Sequence, residues 1–202
     1  MERIGAMVNH PLLSICIPTL PNRAKLLERL LHELHFQIAN NSLEHDIEIL
    51  VLLDNKQQTT GAKRQRLMLL ARGTFIVFID DDDMVSRSYC KTMVDTIRQN
   101  PDIDCIGIKG RLYMNDKVAA NFEVSVKYEG VFDKDKLKCR SPNHLTPIRL
   151  TLAKKATWQD MTIGEDGAYS RDMLKLKLLK TEILVEKPMY HYFMYSTNNF
   201  NI

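Results

Sequence analysis

Four carboxylates in a row, Asp80-Asp81-Asp82-Asp83, follow directly on five apolar residues, Phe75-Ile76-Val77-Phe78-Ile79. An uninterrupted apolar run of this length, rich in β-branched and aromatic residues, reads as a strand buried on both faces. Carboxylates set side by side repel one another, and burying them unpaired costs several kcal/mol each. A divalent cation at the end of that strand would resolve the conflict. The open end of a parallel α/β sheet is also where such folds bind ligands. The plain alternative is a solvated acidic turn ahead of a helix capped by Ser86, whose dipole favours negative charge.

The elements that must position these acids follow from the rest of the chain. Leu12 to Ile17 reads as a first buried strand ended by Pro18 and Pro21. Asn22 can cap a helix whose stripe is Leu26, Leu27, Leu30, Leu31 and Leu34, the spacing of a helix face packed on a sheet. Ile47 to Leu53 predicts a second strand ending at Asp54, and Ala62 to Ala71 a short helix stopped by Gly73. After the Phe75 strand, a helix from Ser86 to Asn100 and a strand from Ile103 to Ile108 complete a strictly alternating series. That alternation predicts a mainly parallel sheet with right-handed crossovers. Three strand ends then carry polar residues, namely Thr19, Asp54 and the acidic run, and together they outline a nucleotide-sized crevice.

From Arg111 the pattern changes. Leu112 to Met114 and Val118 to Val126 predict antiparallel strands around Asn115-Asp116, followed by irregular basic sequence up to Pro142. Asn143 to Arg149 opens a predicted helix reaching Ala156, and Gly164-Glu165-Asp166-Gly167 opens another that runs to Leu179. Ile183 to Val185 and Met189 to Tyr195 predict two further strands, with fraying over Asn198 to Ile202. The expectation is one α/β domain over residues 1–202, with a nucleotide-binding half (1–110) and an acceptor and catalytic half (111–202).

Composition narrows the class. At 202 residues, 45% hydrophobic and 26% charged, the chain is an ordinary globular one with enough length for a substantial core. No apolar run approaches a membrane span, and Met1 to His10 lacks a signal-peptide core. The cysteines, Cys16, Cys90, Cys105 and Cys139, show no CxxC spacing, which fits reduced thiols and a cytoplasmic location. Neither GxGxxG nor GxxxxGK[ST] occurs, which removes the dinucleotide and P-loop classes. The net charge is only +3, but residues 127–155 hold eight basic against three acidic side chains. That region could meet a phosphate, an acidic acceptor or nucleic acid, or be a solvated face.

Taken in order, several pieces resemble the family 2 glycosyltransferases of GT-A fold. They are Ser14-Ile15-Cys16-Ile17-Pro18-Thr19, Asp54 at a strand end, Gly61-Ala62-Lys63-Arg64-Gln65-Arg66 with Ala71-Arg72-Gly73, Asp80-x-Asp82 as a DxD, and Gly164-Glu165-Asp166 as the ED motif. The resemblance spans roughly residues 12–195. It implies an inverting transfer of sugar from a nucleoside-diphosphate sugar, a UDP-sugar by preference, to a hydroxyl acceptor. It further implies a divalent cation, Mn²⁺ or Mg²⁺, with Asp82 as its direct ligand and Asp80 contacting it through water or holding the ribose. Asp81 and Asp83 then order the loop, Asp81 beside the donor. Asp54 would read the base, Pro18 and Thr19 would line the donor site, Asp166 would act as general base, and Glu165 would orient it or the acceptor.

Other residues carry two readings each. Lys63 and Arg64 could contact the diphosphate or form a solvated helix face. His144 could order the acceptor or pack, Arg149 could grip a phosphate, and Trp158 could stack on a sugar or fill the core. Many relatives end with a tyrosine-rich strand, an arginine and a histidine. Here Tyr195 takes the place of that histidine, and strand parity puts His191 opposite Tyr190 and Tyr192, which argues against His191 as a ligand. Two rival readings remain, an inert sugar- or nucleotide-binding relative and a nucleotidyltransferase. For the acceptor, a glycan or lipid-linked precursor stands beside hydroxymethylated bases of virus-type DNA, which the basic 127–155 region would suit. Nothing in the sequence bears on oligomeric state.

Overall fold

A computed structural model of the protein describes residues 10–135 and 137–194. The first half follows the predicted alternation. Strand β1 (Leu13–Thr19) leads through a 3-10 turn (Pro21–Arg23) into α1 (Ala24–Asn40), then β2 (Ile47–Leu53), α2 (Thr60–Leu70) and β3 (Phe75–Phe78). A short strand β4 (Met84–Val85) precedes α3 (Tyr89–Gln99), so the helix starts three residues later than its predicted cap at Ser86. β1 pairs in parallel with both β2 and β3. Leu13, Ile15 and Ile17 pack with α1 and α3 on one face of the sheet, while Cys16, Ile76 and Phe78 pack with Leu67, Trp158, Tyr169 and Met173 on the other. Both faces are therefore covered, which is why these strands show no apolar–polar alternation.

The second half departs from expectation in several places. The helix expected to reach Leu179 ends at Lys175, and the strands expected at Ile103 to Ile108 and Leu112 to Met114 are one. The segment predicted to open a helix at Asn143 instead contributes β9 (Ile148–Arg149), and only Leu150–Ala153 is helical (α4). Pro147 disfavours helix at Thr146, and the backbone is recruited by the sheet: Phe78 N–H donates to the His144 carbonyl and Ile106 N–H to that of Pro147. β9 thus lies between β3 and β5 (Cys105–Met114), antiparallel to both. The region read as irregular holds a hairpin, β7 (Val131–Lys134) and β8 (Leu137–Arg140), whose second strand runs parallel to β6 (Lys117–Val124). Finally, the two predicted C-terminal strands are one, β10 (Glu182–Met194), kept continuous along β5 by register shifts around Pro188.

The β5–β6 turn is where the sequence placed it. Asn115 and Asp116 have φ of 48° and 61°, the left-handed pair that a two-residue hairpin requires. Helix α5 (Glu165–Lys175) completes the fold, an α/β arrangement whose sheet is parallel across β2-β1-β3, again between β5 and β10 and between β6 and β8. Antiparallel pairs lie at β9, at the β5–β6 and β7–β8 hairpins and at β4. All four cysteines are buried and free. Among the described residues no helix is long and apolar enough to cross a membrane. Tyr195 and the residues expected to fray, Asn198 to Ile202, lie outside the described residues.

Candidate active site

The polar ends of β1, β2 and β3 do meet. Lys63 on α2 donates from Nζ to the Thr19 carbonyl at 2.9 Å and to Asp54 Oδ1 at 2.7 Å, tying the first two strands together. The Thr19 hydroxyl donates to Asp81 Oδ2 at 2.6 Å, tying the first to the third. Beside this knot opens a cleft of about 240 Å³ whose wall includes Pro18, Thr19, Lys63, Arg64, Asp80, Asp82 and Glu165. Lys63 and Arg64 are not on a solvated face; both are buried. Asp54 lies behind Lys63 and off the cleft wall, and its Oδ2 accepts the Gln58 N–H at 2.7 Å. These bonds, that of Lys63 foremost, hold its carboxyl below the usual range despite burial.

The four acids of the run divide by direction. Asp81 and Asp83 turn inward, each 1% exposed. Asp83 accepts the Tyr190 hydroxyl and the Phe193 N–H, both at 2.8 Å. Burial, reinforced by the charge of Asp80, pushes the Asp83 carboxyl well above its ordinary value. Asp80 and Asp82 turn to the cleft with side chains 25% and 27% exposed. Burial opposes the charge on Asp80, but Arg64 and His144 outweigh it and hold that carboxyl well below the usual range. At Asp82 burial wins over Arg23 and the carboxyl is raised. The inward acids are bonded into the loop, Asp81 still touching the cleft wall, and the outward pair offers hard oxygen donors.

Those donors suit a divalent cation of a particular kind. Among the described residues no group of three or more His, Cys, Asp or Glu side chains forms a closed metal site. Mg²⁺-type ions are commonly held by one or two carboxylates together with substrate phosphates. Asp80 and Asp82 fit that arrangement, with the remaining coordination left to the ligand and water.

Opposite them stands the second acidic pair. Gly164, in the left-handed region at φ 83°, turns the chain into α5, so Glu165 and Asp166 occupy its first turn. Arg64 spans the two pairs: Nη2 donates to Asp80 Oδ1 at 2.7 Å and Nη1 to Glu165 Oε1 at 2.9 Å. Its guanidinium lies over the Trp158 indole, 5.2 Å from the ring centre. Trp158 itself stacks on Tyr169 and is 3% exposed, so it supports Arg64 from the core and does not face a sugar. His144 makes a second span, with Nε2 3.4 Å from Asp80 Oδ2 and Nδ1 3.6 Å from Asp166 Oδ2. Buried and without a hydrogen bond of its own, this ring sits between the acids, inside the protein.

One candidate leaves the site. Arg149 pairs with Phe75, at the far end of β3 from the acids, and its guanidinium donates to the carbonyls of Pro101 and Ile103. It is a structural cap for that loop, not a phosphate ligand. His191 packs against Tyr113 with ring centres 5.6 Å apart, on the face opposite Tyr190, in keeping with strand parity. The residues that sequence reasoning missed are Arg23, which bridges Asp81 and Asp82, and Thr162 and Tyr192, which line the cleft. A basic residue just past the β1 end was the one visible signal for Arg23.

The loop carrying Thr162 is held by Gly61. Its N–H donates to the Met161 carbonyl at 2.9 Å, and a Cβ at this position would come within 1.8 Å of the Gln159 carbonyl oxygen. Gly61→Ala must push the loop off α2. We expect a loss of roughly 1–3 kcal/mol, the usual range for overpacking, together with weaker nucleotide binding. Thermal unfolding and calorimetry with UDP test this; wild-type values for both would show that the loop does not depend on this contact.

The profile of the family described as Glycosyl transferase family 2 matches residues 37–148, more than half of the chain. No curated protein matches. Among solved structures, similarity is found to S. aureus TarS 1-349 in complex with UDP-GlcNAc, with a TM-score of 0.62 and 15% identity over 91% of this chain and 59% of that one. The same protein without that ligand and in complex with UDP each give a TM-score of 0.62 at 16% identity, over 90% of this chain and 60% of theirs. The chain therefore spans about three fifths of the length of these relatives. Identity this low speaks to the fold, a GT-A-type arrangement of sheet and helices. The matched segment holds Asp54, Lys63, Arg64, the Asp80–Asp83 run and His144, and on that match the chain belongs to glycosyl transferase family 2.

Proposed function

We propose that the protein is an inverting glycosyltransferase that moves a sugar from a nucleoside-diphosphate sugar, UDP-linked, to an acceptor hydroxyl. The observation that carries this is the linkage of two carboxylate sets at one cleft, Asp80 and Asp82 with Glu165 on its wall and Asp166 next to Glu165 at the start of α5, joined by Arg64 and His144. Asp82 and Asp80 would hold Mn²⁺ or Mg²⁺. When bound there, such an ion offsets the charge that develops on the departing diphosphate.

Asp166 is the base. Its side chain is 29% exposed, so a hydroxyl can reach it, and its Oδ1 already accepts the Gly167 N–H at 2.7 Å, which fixes the carboxylate plane. The acceptor oxygen loses its proton to Asp166 as it bonds to the anomeric carbon. The bond from that carbon to the diphosphate oxygen breaks, and the electron pair leaves with the diphosphate. A single base on the face opposite the leaving group gives inversion. Glu165, held by Arg64, orients the start of α5 and is more structural than reactive. Lys63 and Arg64 place two cations at the floor of the cleft, where a diphosphate would lie.

The acceptor we assign is a glycan or lipid-linked precursor. The alternative of modified DNA drew on the basic 127–155 region, but three of its eight cations are engaged within the protein. Lys127 pairs with Glu123, Lys138 with Asp133, and Arg149 with backbone carbonyls. That leaves a weaker field for phosphates than the sequence count suggested. The donor is tested by calorimetry with UDP, dTDP, GDP and ADP in the presence of Mn²⁺. Asp54, behind Lys63 and off the cleft wall, does not reach a base there. The similar TarS structures hold UDP-GlcNAc and UDP, so UDP should bind tightest. Preference for ADP would sink the donor assignment.

A further inference from the structure

Arg23, the last residue of the 3-10 turn after β1, forks between two members of the acidic run. Nη1 donates to Asp81 Oδ1 at 2.5 Å and Nη2 to Asp82 Oδ2 at 2.6 Å. The two ends of the fork differ. The Asp81 side chain is fully buried and further fixed by the Thr19 hydroxyl, so that end is anchored. Asp82 stands 27% exposed on the cleft wall, and it is the acid assigned above to the cation. A guanidinium and a divalent cation repel one another and would compete for the same oxygen.

On the reading that Asp82 holds a cation, we propose that Arg23 is a counter-ion that the cation must displace, and that the displaced arm becomes a ligand for the donor's diphosphate. Nη1 stays on Asp81, and Nη2 swings from Asp82 to a phosphate oxygen. The side chain lines the cleft and is 34% exposed, so its tip is free to make that exchange. The planar guanidinium carries separate donors on two arms, so it can keep one charge-assisted bond while trading the other. The consequence is coupling: cation alone is disfavoured because it strands the Arg23 arm, and nucleotide diphosphate supplies the partner that releases it. By linkage each ligand then raises affinity for the other by the same factor.

The experiment is calorimetry with MnCl2 alone, then with UDP at saturating Mn²⁺, on wild type, Arg23→Gln, Arg23→Lys and Asp82→Asn, each checked by thermal unfolding. Arg23→Gln should bind Mn²⁺ alone about tenfold more tightly and UDP with Mn²⁺ about tenfold more weakly, the scale of one charge-assisted hydrogen bond. Arg23→Lys, which keeps the charge but one contact, should lie between. Equal Mn²⁺ affinity in wild type and Arg23→Gln overturns the competition, and unchanged UDP affinity overturns the exchange. The metal assignment fails separately, if wild type binds no Mn²⁺ with or without UDP, or if Asp82→Asn binds it as wild type does. Should Arg23→Gln fail to fold, the lysine variant decides the same two comparisons.

Discussion

Asp166→Asn is expected to leave UDP-sugar binding intact and to lower turnover by roughly 10²–10⁴-fold, the usual contribution of a positioned general base. Asparagine has nearly the same shape, and its side-chain oxygen can still accept the Gly167 N–H, so the turn into α5 should survive. What it lacks is the ability to take a proton. The two measurements are therefore expected to separate, with nucleotide affinity unchanged by calorimetry and product formation lost. Glu165→Gln should cost less turnover, because its partner is Arg64 and its side chain is buried. If the acidic pair serves only to complement the helix dipole, worth about 0.3–1 kcal/mol, Asp166→Asn would give a slightly less stable protein of normal turnover. That result would refute the mechanism.

The site was legible in the sequence wherever chemistry and chain order coincide. The acidic run could be read because four adjacent carboxylates behind a buried strand stand out, whereas the inward–outward division within it is set by a turn after β3, where strand alternation no longer holds. β1 and β3 were readable because strands covered on both faces leave long apolar runs, and the edge strand β2 because its run is apolar although Val51 and Leu53 are exposed. What could not be read depends on contacts distant in sequence. Arg23 and Asp81 are 58 residues apart and Tyr190 and Asp83 are 107 apart, and neither pairing has a local signature. β9 exists because two other strands offer it hydrogen bonds, against a local pattern that looks helical. The β7–β8 hairpin escaped for the opposite reason. All four residues of β7 are exposed, so nothing there alternates. The 127–155 charge excess was visible, but not that carbonyls and carboxylates of the same chain take up part of it. Lys63 and Arg64 show the limit most clearly: on a helix wheel they resemble surface cations, and in the fold they are the buried links between strand ends.

Arg64→Leu is expected to produce the largest loss of stability in the chain, about 3–5 kcal/mol, the range for removing one partner of a buried ion pair. The guanidinium is 2% exposed and supplies the hydrogen bonds that neutralise Asp80 and Glu165. Leucine fills part of the space over Trp158 and Phe78, so the packing cost is secondary to the charge left behind. For a chain of this size each kcal/mol lowers Tm by roughly 2–4 °C, so scanning calorimetry should record a fall of roughly 6–20 °C. Two controls identify the cause. Glu165→Gln added to Arg64→Leu should recover part of the loss, giving a favourable coupling between the two sites. The pH dependence should also reverse. In wild type the depressed Asp80 carboxyl contributes stability above its unfolded pKa of about 3.9, and that contribution is lost as pH falls through the lower folded value. Without Arg64, only His144 is left to oppose burial: the Asp80 carboxyl rises, and that of Glu165, already raised in wild type, rises further. Their contribution is then present at low pH and lost as pH rises, so lowering the pH from 7 to 5 should narrow the gap to wild type. A gap that stays constant over that range would mean that Arg64 stabilises the fold by packing, and that the charge link between the two acidic pairs carries little of it.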